Sequence, residues 1–176
     1  MSGPELDRIR HGLDLLFIGY NPSLYSAQVM HHYAGKNNRF YRILYEAGIT
    51  ERQFSHFEDR DLLEQGIGFT NIVARPTKTA AEITPGEYKA GRVQLLNKLQ
   101  TYQPKLACFV GKGVYLAYSG KKKAAWGLQP DSVAGGVLEF AAPSSSGLVR
   151  MKISEIVDIY KEIPLIMKKK QSISER

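Results

Sequence analysis

Short unbroken apolar blocks alternate along this chain with stretches in which apolar residues recur every three or four positions. Leu13 to Ile18 is such a block, ends at Gly19, and reads as a strand buried on both faces. Phe40, Ile43, Leu44 and Ala47 fall at i, i+3, i+4 and i+7 and predict a helix, with Asn38 as its cap and Gly48 at its stop. Gly66 to Val73 predicts a second strand, richer in β-branched residues, which Arg75-Pro76-Thr77 ends. Thr84-Pro85-Gly86-Glu87 joins a capping Thr, a Pro at the first helical position and a Glu three residues on, announcing a helix to about Tyr102. Lys105 to Val110 is a third strand, broken by Gly111-Lys112-Gly113, and Val114 to Tyr118 can form a short helix. Trp126 to Gly136 offers turn residues without a period. Val137 to Ala142 is again strand-like, and Pro143 and three serines separate it from a helix near Ile153 to Ile163.

This alternation predicts an α/β fold: a three-layer α/β/α sandwich around a short, mainly parallel sheet with right-handed crossovers. No repeat or linker divides residues 1–176, so one domain is expected, with a disordered basic tail from about Lys168. Four loops each follow a strand directly: Gly19-Tyr20-Asn21-Pro22, Asn71 to Thr77, Gly111-Lys112-Gly113, and Pro143 to Leu148. In a parallel sheet they share one edge, and the crevice at the carboxyl ends of the strands is where such folds bind ligands.

Composition narrows the chemistry. A chain of 176 residues with 43% apolar residues can bury a substantial core. The longest apolar run near the N-terminus, Leu15 to Ile18, is far too short to span a membrane, and an intracellular protein is expected. A single cysteine, Cys108, rules out an internal disulfide and a thiolate zinc site and reads as a small core residue. The net charge of +7 favours a polyanionic partner, although charge alone does not name it. The densest clusters, Lys121 to Lys123 and Lys168 to Lys170, fall in an expected solvated loop and in the tail.

The four loops carry no Cys-His pair, carboxylate dyad or metal-ligand cluster, and the spacing of Gly111-Lys112-Gly113 is not that of a phosphate-binding P-loop. They offer amides, hydroxyls, backbone N–H groups and a lysine, which suit phosphodiester contacts and a base edge. Each also has a plainer reading. Asn21 before Pro22 fits an Asx-turn or a helix cap, Asn38 a cap, Tyr33 simple packing, Leu148 an ordinary core leucine, and Ser144 to Ser146 flexible surface.

Taken together and in order, Gly19-Tyr20-Asn21-Pro22, His31-His32-Tyr33 with Asn38-Arg39-Phe40, Gly66 to Asn71 with Arg75-Pro76-Thr77, and Pro143-Ser144-Ser145-Ser146 resemble the thymine-DNA glycosylase and mismatch-specific uracil-DNA glycosylase family. Tyr102-Gln103-Pro104 and Val110-Gly111-Lys112 support the resemblance, which spans nearly the whole chain. It implies a compact three-layer α/β domain that flips a pyrimidine out of the duplex and hydrolyses its bond to deoxyribose without cofactor or metal.

By the same resemblance, Asn21 is the catalytic residue that positions the attacking water. Tyr33 is the ring on which the base stacks. Tyr20, His32, Asn71 and Thr77 complete the base site, with Asn71 at the Watson–Crick edge. Gly147 and Leu148 form the wedge that meets the orphan guanine, and Lys112, Ser144, Ser146 and Arg150 contact phosphates. The implied partner is double-stranded DNA carrying a mismatched or damaged pyrimidine, met by a monomer in a nucleus or, in a bacterium, in the cytoplasm and nucleoid. Two departures stand out. Tyr20 and Ser23 occupy places where the family reads Ile and Gly, and the three serines of the animal enzymes are joined here to the bacterial Gly-Leu wedge. Uracil opposite guanine is the expected best substrate, with thymine and modified cytosines weaker. A noncatalytic mismatch-sensing module and a nucleotide- or RNA-binding α/β protein are the alternative classes.

Overall fold

In the computed structural model, which describes residues 6–175, alternate residues of the first strand feed two separate cores. Strand β1 (Leu15–Gly19) sends Leu15 and Phe17 to one face, among Phe40, Ile43, Leu44 and Phe69, and Leu16 and Ile18 to the other, among Leu95, Leu99, Val114 and Tyr115. A strand that buries both faces needs helices on both sides, and the chain supplies them. Helices α2 (Phe40–Glu46), α3 (Asp59–Glu64), α6 (Ile153–Tyr160) and α7 (Glu162–Ser174) contribute to the first core, and α4 (Pro85–Tyr102) and α5 (Lys112–Ser119) to the second. The short α1 (Leu24–Val29) follows β1. No helix among the described residues is long and apolar enough to cross a membrane.

The five-stranded sheet has the order β2-β1-β3-β5-β4. β1, β2 (Ile67–Asn71), β3 (Leu106–Val110) and β5 (Leu138–Ala142) are parallel, and the two-residue β4 (Gly127–Leu128) runs antiparallel to β5. The expected sandwich and its mainly parallel sheet are therefore present. Register places Gly19 beside Asn71 and Val110 beside Ala142, so the four loops leave along one edge. The chain leaves β1 toward β2 and β3 toward β5, in opposite directions, which makes β1/β3 the switch point of the sheet. Along the outer side of β2, Arg8 forms an antiparallel bridge: its N–H donates to Phe69 O at 2.9 Å and its carbonyl accepts from Phe69 N at 2.8 Å.

Local chemistry accounts for the helix boundaries. Thr84 Oγ1 accepts from Glu87 N at 3.2 Å and begins α4 where the capping pattern predicts it. Asn38 Oδ1 accepts from Phe40 N at 3.0 Å at the start of α2. Gly91 of α4 lies so close to the Ile72 carbonyl that a Cβ would collide with it, so glycine sets how near this helix approaches the sheet. Two expectations are corrected. The helix expected over Ile153 to Ile163 turns at Lys161 and becomes two, and the tail expected to be disordered from Lys168 continues as α7, anchored by Ile163, Ile166 and Met167 against the core.

Candidate active site at the carboxyl edge of the sheet

Asn21 stands two residues beyond the end of β1. Its Nδ2 donates to Arg75 O at 2.7 Å and to Thr77 Oγ1 at 2.8 Å. Thr77 Oγ1 gives its own proton to Thr79 O at 2.7 Å, so toward Asn21 it is an acceptor, as the Arg75 carbonyl must be. Both acceptors require the nitrogen end of the amide. The orientation of Asn21 is thus fixed by chemistry, and Oδ1 is left as the end that can accept from a ligand. The loop that supplies these acceptors is itself tied down. The Arg75 guanidinium donates to Glu87 at 2.9 and 3.1 Å and to Glu82 O at 3.2 Å, a pairing that raises the Arg75 pKa and holds the Glu87 carboxyl below its usual range. Ser23 turns its hydroxyl to cap α1 by accepting from Ser26 N at 3.0 Å.

A second loop brings Tyr33 to the same edge. Met30 and Tyr33 both adopt left-handed backbone, φ 60° and φ 55°, a conformation that non-glycine residues hold only when their surroundings enforce it. The enforcement comes from Asp59, wholly buried, which accepts from Arg8 Nε at 3.4 Å, His31 Nδ1 at 2.9 Å and His32 N at 2.9 Å. Arg8 also donates to Met30 O at 2.6 Å. The Tyr33 ring lies flat on Phe40, centroids 3.9 Å apart and planes 12° apart, over the contacts among Phe17, Phe40 and Phe69. Burial pushes its phenol well above the ordinary tyrosine range.

Gly19 is where Tyr33 and Asn71 converge. A Cβ at this position would lie 2.8 Å from Asn71 Oδ1 and 3.1 Å from Tyr33 Oη, so only glycine leaves room for both. Asn71 is half-buried, and its side-chain amide makes no hydrogen bond among the described residues.

Tyr20 lies across the switch point. Its ring would be 2.7 Å from a Cβ at Gly111 and would clash with one at Gly113, so these glycines admit the ring. The Tyr20 hydroxyl faces the N–H groups of Gly113 and Val114 at the start of α5, while burial raises its pKa. The first-turn N–H groups that bind phosphate in nucleotide-binding folds are here covered by a phenol. Lys112 extends its ammonium over the Trp126 ring, 3.9 Å from the centroid.

The serine loop after β5 is braced from within and from Arg39. Ser144 Oγ accepts from Ser146 N at 3.2 Å and Ser146 Oγ from Leu148 N at 3.2 Å. Arg39 donates its backbone N–H to Ser145 O at 3.0 Å and its guanidinium to Ser146 O at 3.0 Å. A Cβ on Gly147 would come within 2.7 Å of the Asn37 carbonyl, which explains glycine at this place. The braced loop presents Leu148 to solvent, 88% exposed, and Arg150 is exposed beyond it.

The structure therefore brings Asn21, Tyr33, Asn71 and Thr77 together around the end of β1. Two of the expected base-site residues are committed to the protein interior. His32 is 4% exposed, its Nε2 donates to Leu6 O at 2.6 Å, its carbonyl accepts from Tyr41 at 2.7 Å, and its ring stacks on Phe69. Burial depresses its pKa to about 4, so it is a neutral anchor for the Tyr33 loop. Thr77, also 4% exposed, commits its hydroxyl to Asn21 and Thr79 and so holds the Asn21 amide. Sequence reasoning missed the Arg8–Asp59 pair, Arg39 as a brace and the Arg75 carbonyl. Only the long-range fold brings these to their partners. A cavity of ≈ 250 Å³ lined by Asp14, Gln65, Ile67, Ile163 and Met167 among others sits at the amino end of β1 and is separate from this site.

Comparison with known proteins agrees with this architecture. Residues 6–163 match the sequence profile of the uracil DNA glycosylase superfamily. The chain is also similar to the solution NMR structure of a candidate uracil DNA glycosylase from Methanosarcina acetivorans, with 16% identity, 90% of this chain and 95% of that chain covered, and a TM-score of 0.51. At that identity the likeness is one of fold.

Proposed function

The chain belongs to the uracil DNA glycosylase superfamily, and from that premise we propose that it hydrolyses the bond between deoxyribose and a uracil-type base flipped from duplex DNA, preferring uracil opposite guanine. The observation that carries this reading is the fixed amide of Asn21, with Nδ2 held by Arg75 O and Thr77 Oγ1 and Oδ1 free to accept from water. As C1′–N1 breaks, its electron pair leaves with the base and positive charge builds on the sugar. A water held by Oδ1 then adds through its oxygen to C1′, and its proton ends on the departing base, giving neutral uracil and an abasic site. Asn is a weak base, so its contribution is orientation and a fixed dipole, and slow turnover is expected. Tyr33 stacks the base on the face away from Phe40, and Asn71 reads its edge. Leu148, an apolar side chain held out in solvent by a braced loop, takes the place of the extruded nucleotide, and Lys112, Ser144, Ser146 and Arg150 lie along the flanking phosphates.

The test is release of base from U·G, T·G and U·A duplexes at low salt by the native chain and by Asn21→Ala. Release at U·G that the substitution nearly abolishes is the expected result. Binding to U·G duplex without release by either protein would refute hydrolysis and leave a mismatch-sensing module.

A further inference from the structure

Tyr33 Oη is buried and makes no hydrogen bond among the described residues. A buried donor without an acceptor destabilises the fold, and its retention calls for a use. The hydroxyl points at the space over Gly19 that Asn71 Oδ1 also occupies, the two atoms lying 3.1 and 2.8 Å from one built Cβ position. The Asn71 amide likewise has no hydrogen-bond partner among the described residues, so none of them fixes which of its ends faces the pocket.

The geometry points to the Tyr33 hydroxyl as a positioning residue that donates to Asn71 Oδ1 when a base enters, turning Nδ2 toward a base carbonyl and so making the pocket selective for imide-type pyrimidines. This rests on the reading above that the pocket receives a flipped pyrimidine. Oδ1 has two lone pairs: one takes the tyrosine proton and the other is left for a ring N–H. Uracil presents a carbonyl beside an N–H and matches both ends of an amide held this way. Cytosine presents an amino group beside an unprotonated nitrogen and needs the amide reversed. Reversal would put Nδ2 against Oη and leave the tyrosine proton buried without an acceptor. The ring keeps its stacking role, because the hydroxyl bonds in the ring plane while the base lies on the ring face.

Tyr33→Phe keeps the ring and removes only the hydroxyl. Equilibrium binding is measured to duplexes carrying non-cleavable 2′-fluoro-2′-deoxyuridine or 2′-fluoro-2′-deoxycytidine opposite guanine, for the native chain and the variant. The cost of opening each pair is common to both proteins and cancels in the ratio. The expected result is that Tyr33→Phe lowers the uridine-over-cytidine preference roughly tenfold, the scale of one hydrogen bond. Its melting temperature should equal or exceed the native value, because an unsatisfied group is gone. In an Asn71→Ala background the same substitution should change nothing, since the hydroxyl acts through Asn71. An unchanged preference overturns the proposal, as does an equal loss for both duplexes with a lowered melting temperature. Uracil release from a U·G duplex is scored separately. A native chain that selects the uridine duplex through Tyr33 but releases no uracil refutes the hydrolase reading alone, whereas release with selectivity unchanged in Tyr33→Phe refutes the Tyr33 assignment alone.

Discussion

Asn21 and Asn71 stand at the carboxyl ends of neighbouring strands with the same side chain in opposite circumstances. Asn21 spends both amide hydrogens on Arg75 O and Thr77 Oγ1 before any ligand arrives. Asn71 spends none among the described residues, and faces a tyrosine hydroxyl that likewise has no partner among them. The difference fits the tasks proposed for them. A group that aims a water must be oriented in advance, because reorganising it during the reaction would add to the barrier. A group that reads a base gains by leaving its bonds for the base to complete, since a wrong base then leaves buried polar atoms unpaired.

Breaking the fixed side of this contrast should have the largest effect. Asn21→Ala is expected to lower kcat on U·G duplex by roughly 10²–10⁴-fold with little change in KM, as single-turnover and steady-state rates would show. Thr77→Val turns Asn21 partway toward the condition of Asn71 by removing one of its two acceptors. A fall in kcat of about tenfold is expected, equivalent to ~1.4 kcal/mol, with Thr77→Ser retaining most of the rate. Equal rates for Val and Ser would show that the Arg75 carbonyl alone orients the amide. Leu148→Ala touches neither asparagine and serves as the reference. It should weaken binding to mispaired duplex by several-fold while the single-turnover rate at saturating enzyme changes less.

The smallest effect near neutrality belongs to His32, on the recognition side. Its folded pKa of about 4 lies below the unfolded value near 6.5, so the unfolded chain takes up a proton that the native chain refuses. The stability contributed by neutral His32 is complete above pH 6.5 and is lost as pH falls toward 4. Urea midpoints should decline over that window and decline less in His32→Asn, and equal slopes would assign the acid sensitivity elsewhere.

Legibility in the sequence followed the range of the interaction. The start of α4 could be read to the residue because Thr84 and Glu87 are three apart, and β1 and β3 because five-residue buried strands are unbroken apolar blocks, whereas in β5 Glu139 interrupts the block and only its flanks read as a strand. Helix α1 was missed because its apolar residues Leu24 and Tyr25 face solvent and leave no stripe to detect. Helix α3 is six residues long and β4 only two, too short for a period. The carboxyl-edge rule found the loops that meet at the candidate site. The roles of His32 and Thr77 did not follow, because Leu6 is 26 positions from His32 and Asn21 is 56 positions from Thr77. The tail was misread because Lys168 to Lys170 hide the spacing of Ile163, Ile166 and Met167 that docks α7.

The bridge between Arg8 and Phe69 has a bearing on solubility. An open sheet ends in rows of ladder groups that can recruit a strand from another molecule and seed aggregates. Here Arg8 occupies the middle of the β2 edge with its backbone, and at the opposite edge the partner strand is two residues long. A polypeptide with the proposed task of searching crowded DNA is served by having both flanks of its sheet blunted in this way. Arg8 couples that protection to the work of the pocket, since its side chain holds Asp59 and the Met30 carbonyl. Replacing its side chain would leave the backbone guard in place and loosen the loop that carries Tyr33.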